Sequence, residues 1–174
     1  MASAPELNVS EAIHASALDL LGRREHSRRE LARKLRRRGF PREGIESVLG
    51  RLQGAGLVSD ERYARLFVRD KLAVNPQGKR RILRGLRAKG VEAQLAEDAV
   101  QDVYEETGSS DRHAAESLAR KRLKALVGLE PAVARRRLAG YLARRGFDGR
   151  IVAEVLREVL RTPAAVHEPE APAT

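Results

Sequence analysis

The 174-residue sequence predicts an all-α protein, an elongated tandem array of three three-helix repeats with nine helices in all. Three observations predict it. Apolar residues recur at spacings of three and four from about Ala12 to Leu160, and nowhere alternate in the way that marks a strand. Aromatic residues make up 3% of a chain that is 42% hydrophobic. Its core must therefore be Leu, Val, Ile and Ala, which suits helices better than β-sandwiches. Finally, the chain aligns with itself on Gly39, Gly90 and Gly146, at spacings of 51 and 56 residues. Leu35, Leu86 and Leu142 precede these glycines by four residues, and Leu31, Ile82 and Leu138 by eight. Val48, Leu49 and Leu52 match Ala99, Val100 and Val103, then Val155, Leu156 and Val159. Upstream, Ala17, Leu20 and Leu21 match Ala64, Phe67 and Val68, then Ala115, Leu118 and Ala119.

The elements follow in order. Residues 1–11 are small and polar and read as a flexible arm. The first repeat covers 12–56. Its second helix opens at Ser27-Arg28-Arg29-Glu30, a capping box in which Ser serves the amide three residues on and Glu reaches back. Gly39 ends that helix, and Pro41 opens the third in a first turn that tolerates a missing N–H. The second repeat, 57–107, opens at Ser59-Asp60, with Asp60-Glu61 read as caps on the positive end of their own helix. The third, 108–161, opens at Ser110-Asp111, and Pro131 starts its second helix. Residues 162–174 hold three prolines and no periodicity and read as a disordered tail. A unit of about 45 residues buries little by itself, so neighbouring units are expected to share the burial.

The chain carries 34 Lys+Arg against 24 Asp+Glu, a net charge of +10, which points to an acidic or polyanionic partner. The charge is sorted by helix. Residues 23–38 hold nine bases and two acids, 79–89 six bases and no acid, and 135–145 five bases and no acid. Residues 92–111 hold seven acids and no base. On a helical wheel Arg29, Arg33 and Arg36 form a stripe away from Leu31 and Leu35, and Arg80, Arg84 and Arg87 repeat it. The third unit keeps Arg136 there but has Gly140 and Ala143 at the next two positions. With flanking Arg28, Arg37, Lys79 and Arg144, these are the candidate partner-binding residues. Most charge runs are simply solvated faces, but solvated helices mix signs, and here the signs are largely segregated by helix.

Other chemistry is excluded or unsupported. There is no cysteine, hence no disulfide, thiolate metal site or Cys nucleophile. His14, His26, His113 and His167 lack a second ligand at metal spacing, so no metal is expected. Gly78-Lys79 lacks the rest of a phosphate-cradling loop. No nucleophile–base set and no cofactor site stand out, so the chain does not read as an enzyme. No apolar run reaches the ~20 residues of a membrane span, and no secretory leader opens the chain, so a cytoplasmic monomer is the expectation.

Ala17-Leu18, Leu21, Arg23-Arg24-Glu25-His26-Ser27, Glu30-Leu31, Lys34-Leu35 and Gly39-Phe40, followed by Gly56-Leu57-Val58-Ser59-Asp60-Glu61-Arg62-Tyr63-Ala64 and Lys89-Gly90-Val91, resemble the RecX family of bacterial regulatory proteins. The resemblance covers roughly residues 12–160. It implies a curved array that binds the RecA recombinase filament and inhibits its ATPase, strand-exchange and co-protease activities, modulating recombination, DNA repair and the SOS response. It implies no cofactor, and single- or double-stranded DNA as a further partner. Two rivals stand beside it. One is a sequence-tolerant DNA binder acting through phosphates, since Ser27 to Phe40 also fits a helix-turn-helix start. Base readout needs polar side chains, and the third helices offer only Gln94 and Gln101. The other is a scaffold for some other acidic protein.

Overall fold

The computed structural model describes residues 4–161 apart from residue 75, with side chains from residue 9 onward. The expected tail 162–174 lies outside the described residues. Nine α-helices and one short 3-10 turn (Lys124–Leu126) account for the regular structure among them, with no strand. Unit one holds α1 (Ala4–Arg23), α2 (Arg28–Arg37) and α3 (Arg42–Gly54). Unit two holds α4 (Asp60–Ala73), α5 (Lys79–Ala88) and α6 (Ala93–Thr107). Unit three holds α7 (Asp111–Leu123), α8 (Pro131–Arg144) and α9 (Gly149–Arg161). α1 thus starts inside the stretch expected to be a flexible arm. Pro5 falls in its first turn, where no N–H is needed, and Arg51 of α3 donates to Ser10 at 2.7 Å.

Each unit has a closed core of its own. Leu31, Leu35, Ile45, Leu49 and Leu52 are buried in the first, Ile82, Leu86, Val100 and Val103 in the second, and Leu138, Leu142, Val155 and Leu156 in the third. Among the described residues no apolar cluster spans two units, so the expectation that neighbours share hydrophobic burial is not met there. Helices pack on helices of their own unit. What joins the units is polar and repeats in register. Ser27, at the N-terminus of α2, donates its hydroxyl to the carbonyl of Lys89 at the C-terminus of α5, at 2.5 Å. One unit on, Gly78 at the N-terminus of α5 donates its backbone N–H to the carbonyl of Arg145 at the C-terminus of α8, at 3.0 Å. Ser27 and Gly78 both stand twelve residues before their units' glycines.

A second repeated bond completes each joint. Asp60 accepts from the backbone N–H of Arg28 at 2.7 Å, and Asp111 from that of Lys79 at 3.1 Å. The aspartates therefore satisfy the open N-terminus of the preceding unit's second helix rather than capping only their own. The hydroxyls of Ser59 and Ser110 cap α4 and α7. Ser27 does accept from Glu30 N–H at 3.1 Å, the first half of the expected capping box. The second half is not made, because the Glu30 carboxylate turns to Arg24 and Lys89.

The second joint is the tighter one. A Cβ at Gly78 would lie 2.4 Å from the carbonyl oxygen of Gly146, a backbone atom that cannot step aside. Serine could not stand there as it does at position 27. Gly146 itself has φ +85°, and a side chain on it would meet the backbone of Arg81 at 2.7 Å. We expect Gly78→Ala to destabilise the chain by about 1–3 kcal/mol through overpacking, read as a lower denaturant midpoint. Gly149→Ala, where nothing lies within 4 Å of the added carbon, should leave the midpoint unchanged or raise it slightly.

Candidate docking surface

The joints place the three basic helices end to end. The C-terminus of α8 meets the N-terminus of α5, and the C-terminus of α5 meets the N-terminus of α2. Each contact sets a partial positive helix end against a partial negative one. The three helices together hold about 50 Å of helical length. The row stops at both ends for structural reasons. The residue twelve before Gly146 is Ala134, buried inside α8, so unit three has no helix start at the jointing position. At the other end Arg38 folds back onto Ser16 and Asp19 of α1.

The candidate residues divide into three groups. Arg33, Arg36, Arg37, Arg84 and Arg136 are exposed, with no carboxylate partner among the described residues. Arg144 is exposed as well and lines a cleft in unit three. Arg28, Arg80 and Arg87 are tied to Glu46 (2.6 Å), Asp148 (2.5 Å) and Glu97 (3.1 Å). Arg29 lies across Gly90, where its methylenes would collide with any added Cβ, and the Lys79 ammonium sits 4.5 Å from the centre of the Tyr104 ring. The six-arginine stripe is therefore part free charge and part structural fastening. Sequence reasoning missed Asp60, Asp111 and Lys89 as joint residues. The signal was available, since Asp60 and Asp111 both stand 21 residues after their glycines.

The first joint encloses a charged cluster. Glu30 is 3% exposed and bonds Arg24 at 2.7 Å and Lys89 at 3.3 Å. Burial alone would raise its pKa, but the guanidinium and ammonium outweigh that and hold it at about 2. Burial and the charge of Glu30 push the Tyr63 hydroxyl up to about 12. The buried His26 ring is held between Arg24 O (2.9 Å) and the Lys34 ammonium (2.7 Å). Its burial lowers its pKa, and a neutral ring donating to the carbonyl and accepting from Lys34 fits both bonds. Among the described residues no group of acids and histidines is arranged to hold a metal ion.

Comparison with known proteins agrees with this geometry. The family models described as RecX first, second and third three-helix domain match residues 14–52, 59–100 and 110–156, one per structural unit. The chain belongs to the RecX family. It is 38% identical over 143 residues to the regulatory protein RecX of Amycolatopsis mediterranei, covering 82% of this chain and 80% of that one. It is 35% identical over 156 residues to RecX of Streptomyces coelicolor, covering 90% and 81%. A crystal structure of RecX from Lactobacillus salivarius superposes with a TM-score of 0.75 at 22% identity, over 88% of this chain and 97% of that one. A second RecX crystal structure gives 0.76 at 22% identity, over 86% and 73%. The RecX-type array of three three-helix units is thus the fold of this chain, and no described helix is long and apolar enough to cross a membrane.

Glu30 gives this RecX-family joint a pH dependence of definite sign. A carboxylate held below its usual value of 4.5 stabilises the folded state above that value. The contribution is lost as pH falls from about 5 toward about 2. We expect Glu30→Gln to cost on the order of 3 kcal/mol at neutral pH. The gap between the two chains in denaturant unfolding should close toward about pH 2. A gap that persists unchanged at acid pH would assign the loss to packing instead.

Proposed function

We propose that this chain binds the RecA recombinase filament and inhibits its ATPase, strand-exchange and co-protease activities, and so regulates recombination and DNA repair. The observation that carries the reading is the end-to-end row of basic helices, with Arg33, Arg36, Arg37 and Arg84 exposed and unneutralised along it. An array with about 50 Å of helix in series spans neighbouring filament subunits more readily than a globule of equal mass. Each unit keeps its own core, so each can seat on a separate subunit without losing its fold. A protein seated across subunits resists the movements that monomer addition and ATP turnover require. The exposed arginines supply long-range attraction to acidic protein surface or phosphate.

Base-specific DNA recognition is the less favoured reading. Gln94 donates to Asp98 at 2.8 Å and Gln101 to Glu105 at 2.5 Å. Both amides are engaged, on a helix whose acids repel phosphate.

The test is the DNA-dependent ATPase of the cognate RecA, titrated with this chain at fixed single-stranded DNA. We expect inhibition well below one chain per RecA. Inhibition only at DNA-coating amounts would instead mean competition for phosphates, and none at any ratio would overturn the reading. Joint reversal of Arg33, Arg36, Arg37 and Arg84 to Glu should raise the inhibitory concentration at least about tenfold, a loss of about 1.4 kcal/mol or more. Helical circular dichroism should be unchanged, because all four side chains are exposed.

A further inference from the structure

The chain has six lysines, and the fold gives one of them an unusual neighbour. Lys71 and Lys89 pair with carboxylates, those of Asp70 and Glu30. The Lys79 ammonium lies against the Tyr104 ring, and Lys121 and Lys124 are exposed. Lys34 instead donates to an imidazole, its Nζ lying 2.7 Å from Nε2 of His26. Nδ1 of the same ring is 2.9 Å from the carbonyl oxygen of Arg24, which can only accept. The proton of the neutral ring therefore sits on Nδ1, and Nε2 turns its lone pair toward Lys34.

These are the parts of an activated nucleophile: an amine, a base within hydrogen-bond reach, and a third group that orients the base. His26 is 1% exposed, and its ring cannot turn away without leaving the Nδ1 proton unpaired. Lys34 is only half-buried, so a solute still reaches it. Its surroundings favour the uncharged amine. Burial lowers the Lys34 pKa, the charges of Arg24, Lys89 and Arg23 lower it further, and Glu30 opposes them. Arg23 belongs to α1, Arg24 and His26 to the link after it, Glu30 to α2, and Lys89 to the end of α5. Arg33 and Arg37 stand one residue before Lys34 and three after it, both exposed. Their positive potential draws anionic reagents toward this part of α2.

We propose that Lys34 is an acylation site, modified on Nζ by small acyl phosphates with His26 as general base. Once the ammonium has released a proton to water, the amine attacks the acyl carbon. The nitrogen becomes positively charged as the N–C bond forms, and Nε2 of His26 accepts a proton from it. The C–O bond to phosphorus oxygen then breaks, and the phosphate leaves with the electron pair and takes that proton. The products are an amide and inorganic phosphate. The Arg24 carbonyl is the positioning group, since it fixes the tautomer that this proton transfer needs. The amide keeps one N–H, enough to go on donating to His26. The buried ring thus stays satisfied while α2 loses one positive charge. This inference goes beyond the recombinase reading and does not depend on it.

The test incubates the full chain with acetyl phosphate and follows each lysine by peptide mass spectrometry. We expect Lys34 to be acetylated at least about tenfold faster than Lys121 and Lys124. His26→Gln keeps an acceptor for Lys34 but cannot take up a proton. It should slow acetylation of Lys34 at least about fivefold and leave Lys121 and Lys124 unchanged. In the parent chain the rate at Lys34 should level off below pH 10.5, the ordinary lysine value. Should His26→Gln lose its helical circular dichroism, that pH profile decides in its place. The proposal is overturned if Lys34 reacts no faster than Lys121 and Lys124, or if folded His26→Gln acetylates Lys34 at the parent rate. It is also overturned if the Lys34 rate still climbs past pH 10.5. Acetylation is read without any recombinase present, so its failure would leave the recombinase reading standing.

Discussion

The seating of one second helix on the end of the next is the constraint on which the rest of this structure depends. It occurs twice, through Ser27 on Lys89 and through Gly78 on Arg145. A helix start has unsatisfied N–H groups and a helix finish has unsatisfied carbonyls. Placing one against the other satisfies both without an apolar interface. Asp60 and Asp111 complete the arrangement by accepting from the first N–H of the seated helix. The order of units, the row of basic helices and the position of the unit-three cleft all follow from this one contact. It also explains why glycine stands where it does. Gly78 and Gly146 allow backbone to approach backbone, whereas the first joint, one hydroxyl wider, takes serine at position 27 and keeps glycine only at Gly90, under the Arg29 side chain.

The repeat and its cores were legible in the sequence because helical burial imprints a period on residue type. Leu31, Leu35 and their equivalents are buried as the spacing requires. The cap at Ser27 was legible too, because an N-cap is a local bond between residues three apart. What escaped was every bond that joins residues far apart in the chain. Glu30 looked like the second half of a capping box, but its partner Lys89 lies 59 residues away. Asp60 looked like a cap for its own helix, but the open N–H it satisfies belongs to Arg28. Local pattern names the residue type a position needs. It does not name the partner when a distant unit competes for the same side chain.

Charge shows the same division. Composition established that the second helices are basic, and the wheel placed the arginines away from the core. Neither could say which charges remain available. Arg80 and Arg87 fall on the stripe yet are matched by Asp148 and Glu97, which come from a different unit and a different helix. Tyr141 is unremarkable in sequence. In the fold it has two guanidiniums beside its ring, Arg122 and Arg145.

The polar joints also decide where this array yields. Each unit buries its own apolar core, whose loss costs several kcal/mol for even one large side chain. Each joint rests on a few hydrogen bonds, worth about 1 kcal/mol apiece, and on ion pairs that are mostly exposed and worth less. The first joint adds the buried Glu30 cluster, and the second has backbone seated on backbone without a buried charge. Under load or on binding, the joints open or bend before any unit unfolds. An array of this kind changes the angle between its units while each helix face stays intact. Side chains bridge the second joint, Arg81 to the carbonyl of Arg144 and Arg145 to that of Pro76, and their bonds must lengthen when that angle changes.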